Sequence, residues 1–174
     1  MKKFWYASVI LIPLIVLALF TGCPSKDSGG GGGGGSGSFT YLGNTYSLTG
    51  AGMDDWGSGE FELNLVSSGI NVPDWTGSGY IVWFWLFSPS TACAPGTYDW
   101  AATGGFELFE AAISLDYVAD PESGTWLGAD WADPDPGDYI SISVSGSTYT
   151  FEFSLTMFDD NTVTGSYTGP LTVW

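Results

Sequence analysis

The strongest constraint on this chain lies between Gly146 and Gly169, in GSTYTFEFSLTMFDDNTVTGSYTG. Tyr149, Phe151, Phe153, Leu155 and Met157 are apolar, and Thr150, Glu152, Ser154 and Thr156 between them are polar. A period of two is that of a strand with one face in a core and the other in water. Asp159, Asp160 and Asn161 tolerate a tight reversal, after which Thr162 to Tyr167 returns as a partner strand. Two strands are not stable alone, so the aromatic face must be covered by the rest of the chain.

Most of the remaining sequence reads as strands able to cover it. Residues 39–42 and 45–49 flank a Gly43-Asn44 turn, and Phe61, Leu63 and Leu65 alternate with Glu60, Glu62 and Asn64. Tyr80 to Phe87 (YIVWFWLF) is apolar on both faces and reads as a central strand, too short to span a bilayer. Short strands are expected at Thr97 to Ala101, around Ile113, Leu115 and Tyr117, and at Tyr139 to Val144. Leu171 to Trp174 is expected to end the chain inside the sheet. Residues 51–59 and 67–79 read as loops, Phe106 to Ala111 as the best chance of a helical turn, and Asp120 to Gly137 as a long acidic loop. Nine or ten strands of this kind predict an all-β domain, an antiparallel β-sandwich, with a lipocalin-like up-and-down barrel as the alternative.

Charge excludes several partners. Lys2, Lys3 and Lys26 are the only basic residues of the chain, and histidine is absent. Asp27 aside, the remaining eighteen carboxylates lie in residues 39–174 with no cation opposite them. Nucleic acid is excluded as a partner because phosphate neutralisation needs cations on the protein. Direct attraction of the domain to anionic lipid fails for the same reason.

The N-terminal segment carries an address. Met1-Lys2-Lys3 is followed by an apolar run from Phe4 to Phe20 and by Thr21-Gly22-Cys23. This resembles a bacterial lipoprotein signal peptide, with Phe20-Thr21-Gly22-Cys23 at the lipobox. The resemblance implies removal of residues 1–22, diacylation of Cys23 and usually acylation of its new amino group, as with palmitate. Two or more acyl chains make anchoring stable, so the membrane is an expected partner. Pro24 stands where many inner-membrane lipoproteins carry Asp, which points to the outer membrane, and Ser25-Lys26-Asp27 is similar to surface-export signals of Bacteroidetes lipoproteins. Residues 23–38, with glycine from 29 to 35, read as a tether whose typical reach is on the order of 20 Å. Residues 39–174 then form one domain. Its Gly43 to Tyr46, Pro95 to Tyr98, Tyr149 to Phe151 and Gly165 to Gly169 motifs resemble small β-rich surface lipoproteins of Bacteroidetes, which implies a fold rather than an activity.

Two constellations could carry chemistry. Asp130, Asp133, Asp135 and Asp138, with Asp120 and Glu122 upstream, supply oxygen ligands on a Gly/Pro loop of the kind calcium takes. The plainer alternative is a solvated acidic loop. Trp56, Trp75, Trp126 and Trp131 fall in predicted loops, where indole faces beside carboxylates suit sugar rings; the alternative is that they fold inward and cap the sandwich. Catalysis has little to draw on: no histidine serves a triad or zinc site, and no Lys or Arg holds an oxyanion. Cys93 reads as a small apolar filler. Glu60 and Glu62 leave a carboxylate-dependent glycoside hydrolase as runner-up, and Trp83 and Trp85 leave a barrel carrying an apolar ligand as a third reading. The leading expectation is a non-catalytic binding or structural module that meets a glycan or surface protein. Self-repulsion among the carboxylates predicts that the melting temperature of residues 39–174 rises as NaCl goes from low to moderate concentration. A fall would sink the argument, and calcium exceeding NaCl at matched ionic strength would mark a specific site.

Overall fold

The computed structural model describes residues 34–72, 74–100, 104–119, 130–132 and 135–174, with Asp130 described by its backbone alone. The expected signal segment with Cys23, most of the expected tether, Asp120, Glu122, Trp126 and Asp133 lie outside these residues. Among the described residues there is no helix.

The strands in chain order are β1 (Ser36–Tyr41), β2 (Asn44–Leu48), β3 (Gly50–Gly57), β4 (Glu60–Val66), β5 (Ile70–Asn71) and β6 (Thr76–Phe87). They continue with β7 (Gly96–Asp99), β8 (Glu107–Ala119), β9 (Asp130–Trp131), β10 (Tyr139–Ser145), β11 (Thr148–Thr156), β12 (Thr162–Gly169) and β13 (Thr172–Val173). They hydrogen-bond in the order β13-β3-β4-β6-β8-β7-β10-β11-β12-β1-β2, with β5 on β6 and β9 on β8. Pairing is antiparallel except for the short β7–β8 and β13–β3 contacts.

This long sheet folds over so that one face packs on itself. Phe84 of β6 meets Phe153 of β11 edge-on at 5.3 Å, and Phe61 of β4 meets Tyr98 of β7 at 5.7 Å. The β11–β12 hairpin behaves as its period of two requires: Tyr149, Phe151, Phe153 and Leu155 are buried, opposite Tyr167 and Val163 of β12. Cys93 is buried in the same core. Only Thr49 separates β2 from β3, so the two ends of the ladder are joined through the chain. Its N–H donates to the Val66 carbonyl at 2.8 Å, which turns the corner.

The all-β reading holds, and the strands that sequence missed explain themselves. β3 was expected as a loop because Gly50, Gly52 and Gly57 mask the alternation that buries Ala51 and Met53. The expected helical turn at Phe106 to Ala111 is instead the start of β8. A register shift between Trp85 and Leu86 pairs them with Glu110 and Leu108, leaving Phe109 as the extra residue of a bulge. Leu108 and Ala111 then both face the core three residues apart, which mimics helical spacing. β5 and β9, each two residues long, lie in stretches also expected as loops. At the N-terminal side, β1 takes up Ser36 to Ser38, which were expected to belong to the tether. Gly37 is held so close to the Ser166 backbone of β12 that a Cβ would collide with it.

The turn at Asp159 locks two hairpins together. Its carboxylate accepts from the Asn161 N–H at 3.0 Å, from Asn161 Nδ2 at 2.8 Å and from the Tyr41 hydroxyl at 2.9 Å. The Asn161 donors, side chain first, hold its pKa below the usual 3.8; burial opposes them slightly and Tyr41 adds to them. A depressed folded pKa gives stability that is present above the unfolded value and lost as pH falls through the folded one. Asp159→Asn should therefore be less stable than the parent at pH 6, with the gap closing below pH 3.8. Denaturant unfolding of both chains across that range checks it; a gap independent of pH would assign the effect to turn conformation.

Candidate functional site

The outward side chains of β3, β4, β6 and β8 fall into transverse rows. In one row Gly52, Asn64, Trp83, Ala112 and Trp131 stand opposite one another in succession. In the next, Asp54 faces Glu62, Glu62 faces Trp85, and Trp85 faces Glu110. Small residues flank the rings in the first row, and a groove opens there. Its volume is about 290 Å³, and its walls are Trp75, Trp83, Trp131, Trp174, Tyr117, Asp54 and Glu62.

Each ring has a local reason for its place. Trp174 follows β13, which pairs with Gly52 and Met53, and its N–H donates to the Met53 carbonyl at 3.2 Å. Gly52 lies directly beneath the indole, where a Cβ would overlap both Trp174 and Val72. Trp75 closes a turn whose N–H donates to Val72 O at 3.3 Å, and its φ is +47°. For a bulky residue that left-handed conformation costs about 1–2 kcal/mol, which the surrounding contacts must hold in place. Those contacts are Trp174 at 5.3 Å and Tyr117 at 6.0 Å, above a small apolar cluster of Val66, Ile70, Val72, Ile81 and Ala119. Opposite them Trp131 meets Trp83 edge-on at 5.8 Å. The segment carrying Trp131 is stitched between β8 and the end of β11, with Ala132 N–H donating to Ala111 O at 3.0 Å and Phe158 N–H to Trp131 O at 3.1 Å.

The polar groups are acidic. Asp54 accepts from Trp56 Nε1 at 3.1 Å, and Glu62 accepts from Asn64 Nδ2 at 2.9 Å. Asn64 is fully buried and its Oδ1 has no hydrogen-bond partner. Each carboxylate keeps unused acceptor sites. Groups of this kind accept hydrogen bonds from hydroxyl or ammonium donors, while the indole faces stack on C–H surfaces.

Of the tryptophans singled out by sequence, Trp75 and Trp131 meet in this groove. Trp56 belongs to β3 and packs beside it on Trp85 at 5.6 Å, 47 % exposed. Trp126 lies outside the described residues. Sequence did not assign Trp83 to a surface, because an all-apolar strand has no polar face to mark the outside. Residues 171–174 were expected to end the chain inside the sheet, and they do join it as the edge strand β13 beside β3, with the Trp174 ring half-buried on the outer face.

The acidic loop gives a different picture. Asp135 is exposed, and Asp138 is 4 % exposed with its Oδ1 accepting from Thr156 N–H at 2.9 Å and Thr156 Oγ1 at 3.0 Å. That carboxylate pins the end of β11, and its Oδ2 has no partner. Asp130 pairs through its backbone with Ile113. Among the described residues no three His, Cys, Asp or Glu side chains converge as a metal site. No family model, curated protein or solved structure matches this chain.

Because Gly52 carries the Trp174 ring, Gly52→Ala should push the indole off the groove. Overpacking there should cost about 1–3 kcal/mol in denaturant unfolding and red-shift the tryptophan emission. Unchanged stability and emission would mean that the ring is not seated on Gly52.

Proposed function

We propose that this chain is a lipid-anchored envelope protein whose β domain is a non-catalytic binding module taking a sugar ring in the outer-face groove. The observation that carries the reading is the meeting of Trp75, Trp83, Trp131 and Trp174 with Asp54 and Glu62 around one hollow. Indoles contribute stacking surface with little loss of conformational freedom, and carboxylates accept from hydroxyls. The hollow has the size of a small-ligand site rather than of a flat protein interface. A strained Trp75 backbone beside it fits a site whose geometry is bought with stability.

The anchor reading rests on Cys23 and the resemblance described above. Cleavage and acylation there, followed by the glycine-rich stretch, hold the domain near a membrane, with the outer membrane as the proposed location. The apolar-carrier reading has less support, since Phe84 and Phe153 meet in the core where a barrel would hold its ligand.

Titration of residues 34–174 with a panel of oligosaccharides, followed by tryptophan fluorescence and calorimetry, tests the function. Trp131→Ala should weaken binding at least tenfold and, because Trp131 is 36 % exposed, cost less than the roughly 3–5 kcal/mol of a fully buried aromatic. Binding that survives Trp131→Ala and Trp75→Ala together would place the ligand elsewhere. Release of reducing ends would replace the binding module with a hydrolase.

A further inference from the structure

We infer that the groove selects a protonated amino sugar, a ring bearing a free ammonium, over its neutral and N-acetylated counterparts; this rests on the sugar-binding reading and names its ligand class. Asp54 and Glu62 are cross-strand neighbours on β3 and β4, and both line the groove. Like charges directly opposite on an antiparallel pair are destabilising. No Lys, Arg or His exists anywhere in residues 34–174 to offset them. A ligand cation is the partner that this pair lacks.

The two carboxylates are also held rather than loose. Trp56 Nε1 fixes Asp54 and the buried Asn64 amide fixes Glu62, each through one hydrogen bond, which leaves further lone pairs on both carboxylates. A primary ammonium has three N–H donors and can bridge two such groups through charge-assisted bonds. The surrounding indoles add a second attraction, because a cation over an aromatic face is drawn to the negative side of its quadrupole. Trp75, Trp83, Trp131 and Trp174 thus serve the ring by stacking and the ammonium by charge. The same arrangement repels uronates, sialates and sulfated or phosphorylated sugars. An acetylated amine loses both the charge and two of its donors.

The test uses tetramers with one β-1,4-linked gluco backbone: glucosamine, N-acetylglucosamine and glucose. Each is titrated into residues 34–174 at pH 5.5 by calorimetry, with tryptophan emission as a second readout, at low and moderate NaCl. The inference expects the glucosamine tetramer to bind at least tenfold more tightly than the other two. In Glu62→Gln and Asp54→Asn, which remove the charge while keeping one acceptor oxygen each, that preference should fall towards unity while the glucose tetramer is much less affected. Equal affinity for all three tetramers, lost in Trp131→Ala, would overturn the ammonium inference and leave the sugar reading standing. A glucosamine preference that persists in both charge variants and disappears with salt would assign it to the diffuse field of the domain and overturn the local site. Binding of none would overturn the amino-sugar inference, while the sugar reading would stand or fall on the wider oligosaccharide panel.

Discussion

Apolar contact carries this fold almost alone. With no Lys, Arg or His among residues 34–174, no carboxylate there is neutralised by another side chain of that stretch. Cohesion comes from the backbone ladder and from rings that meet across the folded sheet, such as Phe84 with Phe153 and Phe61 with Tyr98. The acids are tolerated because most lie towards water, and the exception is instructive. Asp138 is buried, yet two donors from Thr156 converge on one of its oxygens. Neutral donors replace the missing salt bridges.

The same economy shapes the outer face. Its groove lies where Trp83 and Trp131, separated by Ala112 in one row of the sheet, face Trp75 and Trp174. A side chain at Gly52 would push the Trp174 ring from its place at the groove. The two-residue strands β9 and β13 are too short to stabilise anything by themselves. Their role is placement: each brings one tryptophan, Trp131 or Trp174, to the rim.

Strand periodicity made the core legible wherever polar residues marked the outside, as in β11 and β4. It failed where that marking was absent. The all-apolar β6 shows no outer face in sequence, so Trp83 and Trp85 looked like interior residues. Glycine hid β3, and a bulge at Phe109 gave β8 a helical spacing at its start. Half of the site was legible, since Trp75 and Trp131 stood out as tryptophans outside the strong strands. The other half depends on register: nothing local says that Asp54 will face Glu62, or that Trp174 will lie on Gly52. Those juxtapositions follow from long-range pairing, which single-chain reading cannot see.

β1 has a mechanical consequence. It is laced between β12 and β2 by registered pairs along both edges, and Ser36 is its first residue. A pull on Ser36 would enter both ladders at the end where β2 and β12 also join the rest of the domain, so it would load their pairs one after another from that end. Gly37, pressed against the Ser166 backbone, lets the strand seat closely against β12. The groove lies across the opposite half of the sheet, on β3, β4, β6 and β8. Load between the groove strands and a held N-terminus would reach β1 through β2 and Thr49, at the end where Gly37 faces Leu48, and the domain would open there as a zipper rather than resist as a shear-loaded joint.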